Sequence, residues 1–412
     1  MLKLDKLKTA GIIEYIFCVL MVYCNGSWLL FEAKTFITIA MIAYMFFYLV
    51  IRKAWFNDLQ APNSSVIFFA LFPFISLILN LNNDVNLISV LFVSITYLFL
   101  SCFSTRTYDA LMHKYAHFIY VLMLISIVFG LVTLVDYSVL TIVPVSADDL
   151  FGSNSTMGYY NFLLYTDRVA NDFRTQSIFW EPGAWAFNEI FAFYWFIFIQ
   201  KDYNKLPYII LSMLLTLSTT GLFLSVILLG ACFISIDSSV LRRKILQIAS
   251  LGAILMVVGS TYIAAKADVN IIDLFYEQTV EKFTSDSKSV SFAERLETTK
   301  EAYEIAEEHP FFGIGKATTE NQIFVTSGIA EIVYQLGFLY LVAYLVYFRV
   351  LFSKLGWLLS CIFVMIMING EAYGFHILSS LILIYGTKHI TIRNPLAKNF
   401  SAIKRNQFEL IK

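Results

Sequence analysis

The sequence predicts an all-α polytopic membrane protein with about 12 transmembrane helices and two long loops on one side. Three observations carry this. The 412 residues are 58% hydrophobic and only 14% charged, against roughly 25% charged in soluble domains. The apolar residues gather in runs of about 17 to 25 residues, the length that spans a bilayer. Most of the 29 Lys and Arg fall in alternate connections between those runs, the bias that sets orientation in a membrane. The chain reads as one membrane domain over residues 1–412. The charge pattern points to no nucleic-acid partner.

The runs are Gly11–Leu30, Phe36–Ile51, Val66–Leu81, Leu87–Phe103, Tyr115–Val135, Gly183–Ile199, Pro207–Ile236, Ile245–Ala265, Ile329–Leu351, Leu355–Ile368 and Tyr373–Gly386. Pro207–Ile236 is too long for one helix. Ser218-Thr219-Thr220-Gly221 breaks it into two short ones, which brings the total to twelve. Lys3, Lys6 and Lys8 before the first run suggest a signal peptide. Glu14 interrupts that run, however, and no small-residue cleavage site follows, so a retained helix is expected. The five cysteines lie in or beside apolar runs without metal or disulfide spacing and read as small buried hydrophobes.

A cytoplasmic N-terminus puts Arg52, Lys53, Arg106, Lys114, Lys201, Lys205, Arg242, Arg243, Lys244, Arg349, Lys354 and the basic C-terminus on the inside. Two long loops, Asp136–Pro182 and Lys266–Gly328, then lie outside with the Ser218–Gly221 and Gly370-Glu371-Ala372 turns. Loops of this length are usually functional. In the second, Ser291-Phe-Ala-Glu294 is a capping box that opens an amphipathic helix ending near His309-Pro310. Its apolar face is expected at Phe292, Leu296, Thr299 and Tyr303. Arg295 falls beside Ala302 and Ala306, where small neighbours leave room for a ligand; the alternative is a surface ion pair with a nearby Glu. Asn270–Phe283 is expected to lie in the interface plane.

The stretch Arg174 to Gly183, RTQSIFWEPG, stands at the mouth of the sixth run. It fits two readings. Charges at a helix mouth mark a functional site. Trp180 and Trp185 also suit an aromatic belt, with Pro182 in a first helical turn. There is no Walker loop, HExxH or GxSxG pattern, and Gly313-Ile-Gly315 is too short for a dinucleotide fingerprint. Asp148-Asp149 and Asp286 are expected to be solvated, not to ligate a metal. What remains is an outward-facing set of arginines and carboxylates. Nucleotide-activated donors are absent on that side, so a transfer reaction there needs a donor carried by lipid. The planar fork of arginine suits its phosphates.

Three features resemble the O-antigen polymerase and O-antigen ligase superfamily, membrane glycosyltransferases of the GT-C type. The first is Arg174-x-x-x-Ile178-Phe-Trp-Glu181-Pro182 entering a helix. The second is the broken pair around Leu217-Ser-Thr-Thr-Gly221. The third is Arg295…Ala302…His309-Pro310-Phe-Phe-Gly313-Ile-Gly315, followed by Gln335-Leu-Gly337-Phe. Together they cover residues 170–350. Ligases carry a His-Asn pair before the glycine that corresponds to Gly337. Here those positions read Ser327-Gly328, which favours the polymerase (Wzy-type) branch.

The resemblance implies a bacterial inner-membrane protein with cytoplasmic termini and periplasmic long loops. Donor and acceptor would both be glycans on undecaprenyl pyrophosphate, and a chain-length regulator is an implied partner. No cofactor and no metal is implied. Arg174 and Arg295, assisted by Arg168, would hold the pyrophosphate. Glu181 would be the general base or acceptor orienter, with Glu331 and Glu371 behind it. Glu189 reads as buried and paired, and His376 as structural. A ligase acting on lipid A-core and a lipid-linked glycan flippase are the competing classes, although the two halves lack the similarity many transporters show.

Overall fold

The computed structural model describes residues 2–27, 34–56, 59–80, 87–135, 174–235, 290–315, 327–370 and 374–393, with three short strands between 145 and 168 and a few isolated positions. The helices in order are α1 (Leu2–Tyr23), α2 (Lys34–Trp55), α3 (Ser64–Leu79), α4 (Leu87–Ser101) and α5 (Thr105–Val135). After the strands come α6 (Pro182–Tyr194), which runs on as a π-helix (Trp195–Gln200), then α7 (Leu206–Thr216) and α8 (Thr219–Ser235). The last four are α9 (Val290–Glu308), α10 (Gly328–Leu351), α11 (Trp357–Asn369) and α12 (Ile377–Arg393). The expected Ile245–Ala265 span, the in-plane stretch Asn270–Phe283 and the Asp148-Asp149 pair lie outside the described residues.

Among the described residues, three helices are long and apolar enough to cross a membrane: Phe36–Trp55, Thr105–Thr133 and Gly328–Leu351. Shorter apolar helices accompany them, among them Gly11–Tyr23, Ser64–Leu79 and Thr219–Ser235. The first helix stops earlier than its apolar run suggests, at Tyr23. There Cys24 and Asn25 turn the chain and Gly26 takes a φ of 93°, so the polar Asn-Gly pair overrides the apolar residues beyond it. Pro207–Ile236 splits as expected. Leu217, at φ 48°, ends α7, and α8 starts at Thr219.

The first long loop adds a small sheet to the helical plan. It contains three short antiparallel strands, β1 (Val145–Ser146), β2 (Tyr159–Phe162) and β3 (Tyr165–Arg168), in the order β1-β2-β3. Phe162 pairs with Tyr165 across a tight hairpin. Aromatic residues crowd these strands, as a pleated, half-buried surface favours. Tyr165 is buried and stacks on Phe129 of α5, with ring centroids 4.8 Å apart.

The helices pack around α10, which lies against α12, α9 and α11. α5 holds α1, α6 and α7. Aromatic rings fill the core: Tyr340 of α10 meets Phe69 and Phe72 of α3, and its hydroxyl lies 3.2 Å from that of Tyr97 on α4.

One end of the bundle gathers basic side chains. Gln60 N donates to Cys102 O at 2.6 Å, which joins the α2–α3 and α4–α5 connections. Lys388 Nζ donates to Ser101 O at 2.9 Å. Lys354 reaches the Phe198 carbonyl, and Lys205 lies over the Phe196 ring at 4.4 Å. Just inside, Glu14 of α1 pairs with Arg52 of α2 at 3.0 Å and with Lys114 of α5. Hence Arg52, Lys114, Lys205, Lys354 and Lys388, which the charge bias assigns to one side, share one end of the fold.

Candidate functional site

At the opposite end a series of contacts joins the ends of several helices. Arg174 begins it. Its Nε donates to Thr216 O at 3.5 Å, and Thr175 N donates to Leu215 O at 3.0 Å. These carbonyls close the last turn of α7, where a helix has acceptors to spare and favours a cation. α8 follows at once, and its Thr220 touches Gly370 at the end of α11; a Cβ on Gly370 would come within 2.5 Å of Thr220 Cγ2. Next to it, Asn369 Oδ1 accepts a hydrogen bond of 2.6 Å from Ser327 Oγ. Ser327 caps α10 by accepting from Ala330 N. Glu331 sits in that first turn, with Gly374 against its carboxylate. His376 leads back to Trp180, ring centroids 5.5 Å apart, and Glu181 follows.

The chain from Arg174 to Glu181 is shaped by local rules. Ser177 turns it with a φ of 54°. Phe179 pairs with Ser27 in a β-bridge and stacks on Trp185. Trp180 N donates to Gly26 O at 3.4 Å, and the indole occupies the place a Cβ on Gly26 would need. So the early end of α1 serves as the seat for this segment. Pro182 then opens α6 at its first helical position, as proline favours. Glu181 stands at the N-cap, but its side chain makes no capping hydrogen bond. Both Glu181 and Arg174 are half-buried at the rim. A narrow crevice of only about 10 Å³ lies between α6, α8 and α11, lined by Gly183, Ala186, Thr220, Gly221 and Met367 among others.

A second construction holds the helix-break motif. α10 is interrupted at Gly337 (φ 80°, ψ 171°). In a continuous helix Phe338 N would donate to Tyr334 O. Instead it donates to Pro310 O at 2.8 Å, while Ile314 N donates to Tyr334 O at 2.9 Å and Gly315 N to Gln335 O at 3.0 Å. The strap His309–Gly315 thus fills the gap in the helix. Ser76 and Asn80 of α3 clamp it from behind, with Ser76 Oγ donating to Phe312 O at 2.7 Å and Asn80 Nδ2 to Gly313 O at 3.1 Å. The strap also ties α9 to α10.

α9 starts at Val290, so Ser291 lies inside its first turn and not at its cap, and Thr299 and Tyr303 of the expected apolar face are half-buried. Ala302 and Ala306 are fully buried, and Glu301, Glu304 and Glu308 are exposed. The acidic side of α9 thus faces outward as expected, and the two alanines lie on its packed side with the half-buried Tyr303. Burial raises the Tyr303 phenol above its ordinary value, which keeps it neutral.

Of the residues expected at the site, Arg174, Glu181 and Glu331 lie at helix ends on the same side of the bundle, with one carboxylate oxygen of Glu331 buried. Arg295 and Arg168 are described through their backbone alone, in the first turns of α9 and at the end of β3. Glu371 lies outside the described residues, between Gly370 and Gly374 of that series. Glu189 is fully buried in α6 and takes hydrogen bonds from hydroxyls, with no ion pair among the described residues. The sequence reading missed the polar residues that build the frame. Asn25 donates to Asn188 Oδ1 at 2.9 Å and accepts from Leu378 N at 2.9 Å, and Tyr115 OH donates to the same Asn188 oxygen at 3.0 Å. Their signal was polar side chains inside apolar runs.

No curated protein and no solved structure matches the chain. A family model described as O-antigen ligase matches residues 208–335. The match starts in α7, takes in the broken α7–α8 pair, and ends at Gln335, which the strap binds. With the Arg174–Pro182 and His309–Gly315 motifs built into the same end of the fold, it supports a place for this chain in the O-antigen polymerase and ligase superfamily.

Proposed function

We propose that the protein is a polysaccharide polymerase that joins lipid-linked oligosaccharide repeat units on the outer face of the bacterial inner membrane. The position of Arg174, Glu181 and Glu331 at helix ends on one side of the bundle, away from the basic end, is the observation that supports this reading. The family match supports a glycan polymerase or ligase in general terms.

In this reading the donor is a growing glycan on undecaprenyl pyrophosphate, and the acceptor is one repeat unit on the same lipid. An acceptor sugar hydroxyl oxygen attacks the donor's anomeric carbon. The bond from that carbon to the pyrophosphate oxygen breaks, and lipid pyrophosphate leaves with the electron pair. The hydroxyl proton passes to Glu181, with Glu331 and Glu371 as further carboxylates. Arg174 and Arg295, assisted by Arg168, offset the charge that develops on the leaving group. The polymerase is preferred to the ligase because Ser327 and Gly328 stand where ligases carry His-Asn, and Ser327 is occupied as the cap of α10.

Purified protein in lipid vesicles, given a single lipid-linked repeat and nothing else, tests the reading. A polymerase yields a ladder of longer lipid-linked chains. An unchanged repeat that is moved across the vesicle membrane, or one transferred only when lipid A-core is added, would overturn it in favour of the flippase or the ligase.

A further inference from the structure

Glu189 is a carboxylate with no exposed surface, two turns into α6. Ser212 Oγ donates to its Oε1, and Thr216 Oγ1 donates to its Oε2 at 2.9 Å. Ser212 and Thr216 stand four residues apart on α7, hence on one face of it. Thr216 is the last residue of that helix; Leu217 turns left-handed after it. The outer side of the same turn carries Arg174 and Thr175. Arg174 Nε donates to Thr216 O at 3.5 Å, Thr175 N donates to Leu215 O at 3.0 Å, and the hydroxyls of Thr175 and Thr216 lie 3.4 Å apart. One residue, Thr216, is therefore gripped by Glu189 from within the bundle and by Arg174 from the rim.

A buried carboxyl is costly even when hydrogen-bonded, and an apolar side chain would fill the same space without that cost. Two hydroxyls aimed at it from the last turn of α7 say what the cost secures, namely the position of that turn. We propose that Glu189 is a positioning residue that fixes the end of α7 and, through Thr216, sets Arg174 at the rim. The proposal rests on the reading of Arg174 as a contact to the pyrophosphate. Small errors in such a contact matter, since a displacement of about 1 Å can cost on the order of a hundredfold in rate.

The test is a double-mutant cycle on purified enzyme polymerising a lipid-linked repeat, with wild type, Glu189→Leu, Arg174→Ala and the pair. Glu189→Leu is expected to lower kcat/KM by about tenfold to a hundredfold. Glu189→Gln, whose amide can still meet both hydroxyls, recovers most of that loss. In the Arg174→Ala background Glu189→Leu should cost less than about twofold, because residues that act through one another are non-additive. Equal losses in both backgrounds would overturn the proposal, as would wild-type activity of Glu189→Leu. Should Glu189→Leu not accumulate in the membrane, Ser212→Ala takes its place in the same cycle. Arg174→Ala with wild-type activity is a different result, and it removes the functional reading of Arg174 itself.

Discussion

Gly337 lies against the backbone of Phe311: a Cβ on Gly337 would stand 2.4 Å from the Phe311 carbonyl carbon and oxygen. The approach is mutual, because a Cβ on Gly313 would come within 2.4 Å of the Gln335 carbonyl carbon. Both glycines also have positive φ, 80° and 61°, which costs any other residue. Two sequence motifs far apart in the chain are thus the two halves of one joint. Gly337→Ala and Gly313→Ala should each detach the strap from α10 and leave polar backbone groups exposed to an apolar setting, at a cost of several kcal/mol. Thermal unfolding in detergent checks this. Melting temperatures within a degree or two of wild type for both variants would refute the joint.

Arg174 binds through a planar fork if it holds pyrophosphate, and lysine offers no fork. Arg174→Lys and Arg295→Lys should each lower polymerisation by about thirtyfold to a thousandfold, equivalent to about 2 to 4 kcal/mol of barrier. Glu181→Gln removes the proton acceptor and should fall at least into the same range. In cells, the chain-length ladder collapses while the protein still reaches the membrane. Lys300→Ala, on the exposed side of α9, keeps the ladder. Normal ladders from both arginine variants at wild-type protein levels would leave Arg174 as no more than a cap on α7.

Glu14 is shared by Arg52 and Lys114, and its side chain is 10% exposed. Removing it leaves two cations facing each other in a largely buried place. Glu14→Ala should destabilise the protein by about 3 kcal/mol or more. Arg52→Met made together with Glu14→Leu should lose much less, since the pair then becomes apolar. Unfolding of the three proteins in detergent separates these outcomes. A double variant weaker than Glu14→Ala would contradict the argument.

Opposite ends of the bundle should face opposite compartments. With native cysteines replaced, a single cysteine at Glu308 should react with an impermeant maleimide in cells whose outer barrier is opened, and one at Lys201 should not. Both positions are exposed. The charge bias sets the expected direction. The reverse labelling pattern would invert the orientation and end the proposed mechanism.

Much of the helical plan was legible because apolar period and length are strong local signals. The Ser291–Glu294 signal located the start of α9 to within two residues, and Ser218–Gly221 located the break between α7 and α8. What was not legible depends on contacts between distant segments. Nothing local tells that Asn25 seats Asn188 and the start of α12, or that α1 stops at Tyr23 to make that possible. On α9 the helical period places Tyr303 on the packed side, and Ala302 and Ala306 beside it are fully buried because close helix packing favours small residues. The strands of the first loop were missed because four-residue strands carry little periodic signal. At the site, sidedness brought Arg174, Glu181 and Glu331 to one list. Only the fold gives the series of contacts through Thr220, Asn369 and His376 that connects them.

The joint at Gly337 also constrains how the chain can be made. α10 cannot complete its own backbone pairing as it leaves the ribosome and enters the bilayer, because Phe338 N and Tyr334 O wait for partners in the strap. Those partners precede it in translation and must be held on the correct side when the helix arrives. The clamp from Ser76 and Asn80 is made earlier still. Synthesis therefore delivers clamp, strap and helix in the order in which each receives the next, and the α10 break closes only when all three are present. A chain truncated before Gly328 would hold a finished receptor with nothing to receive.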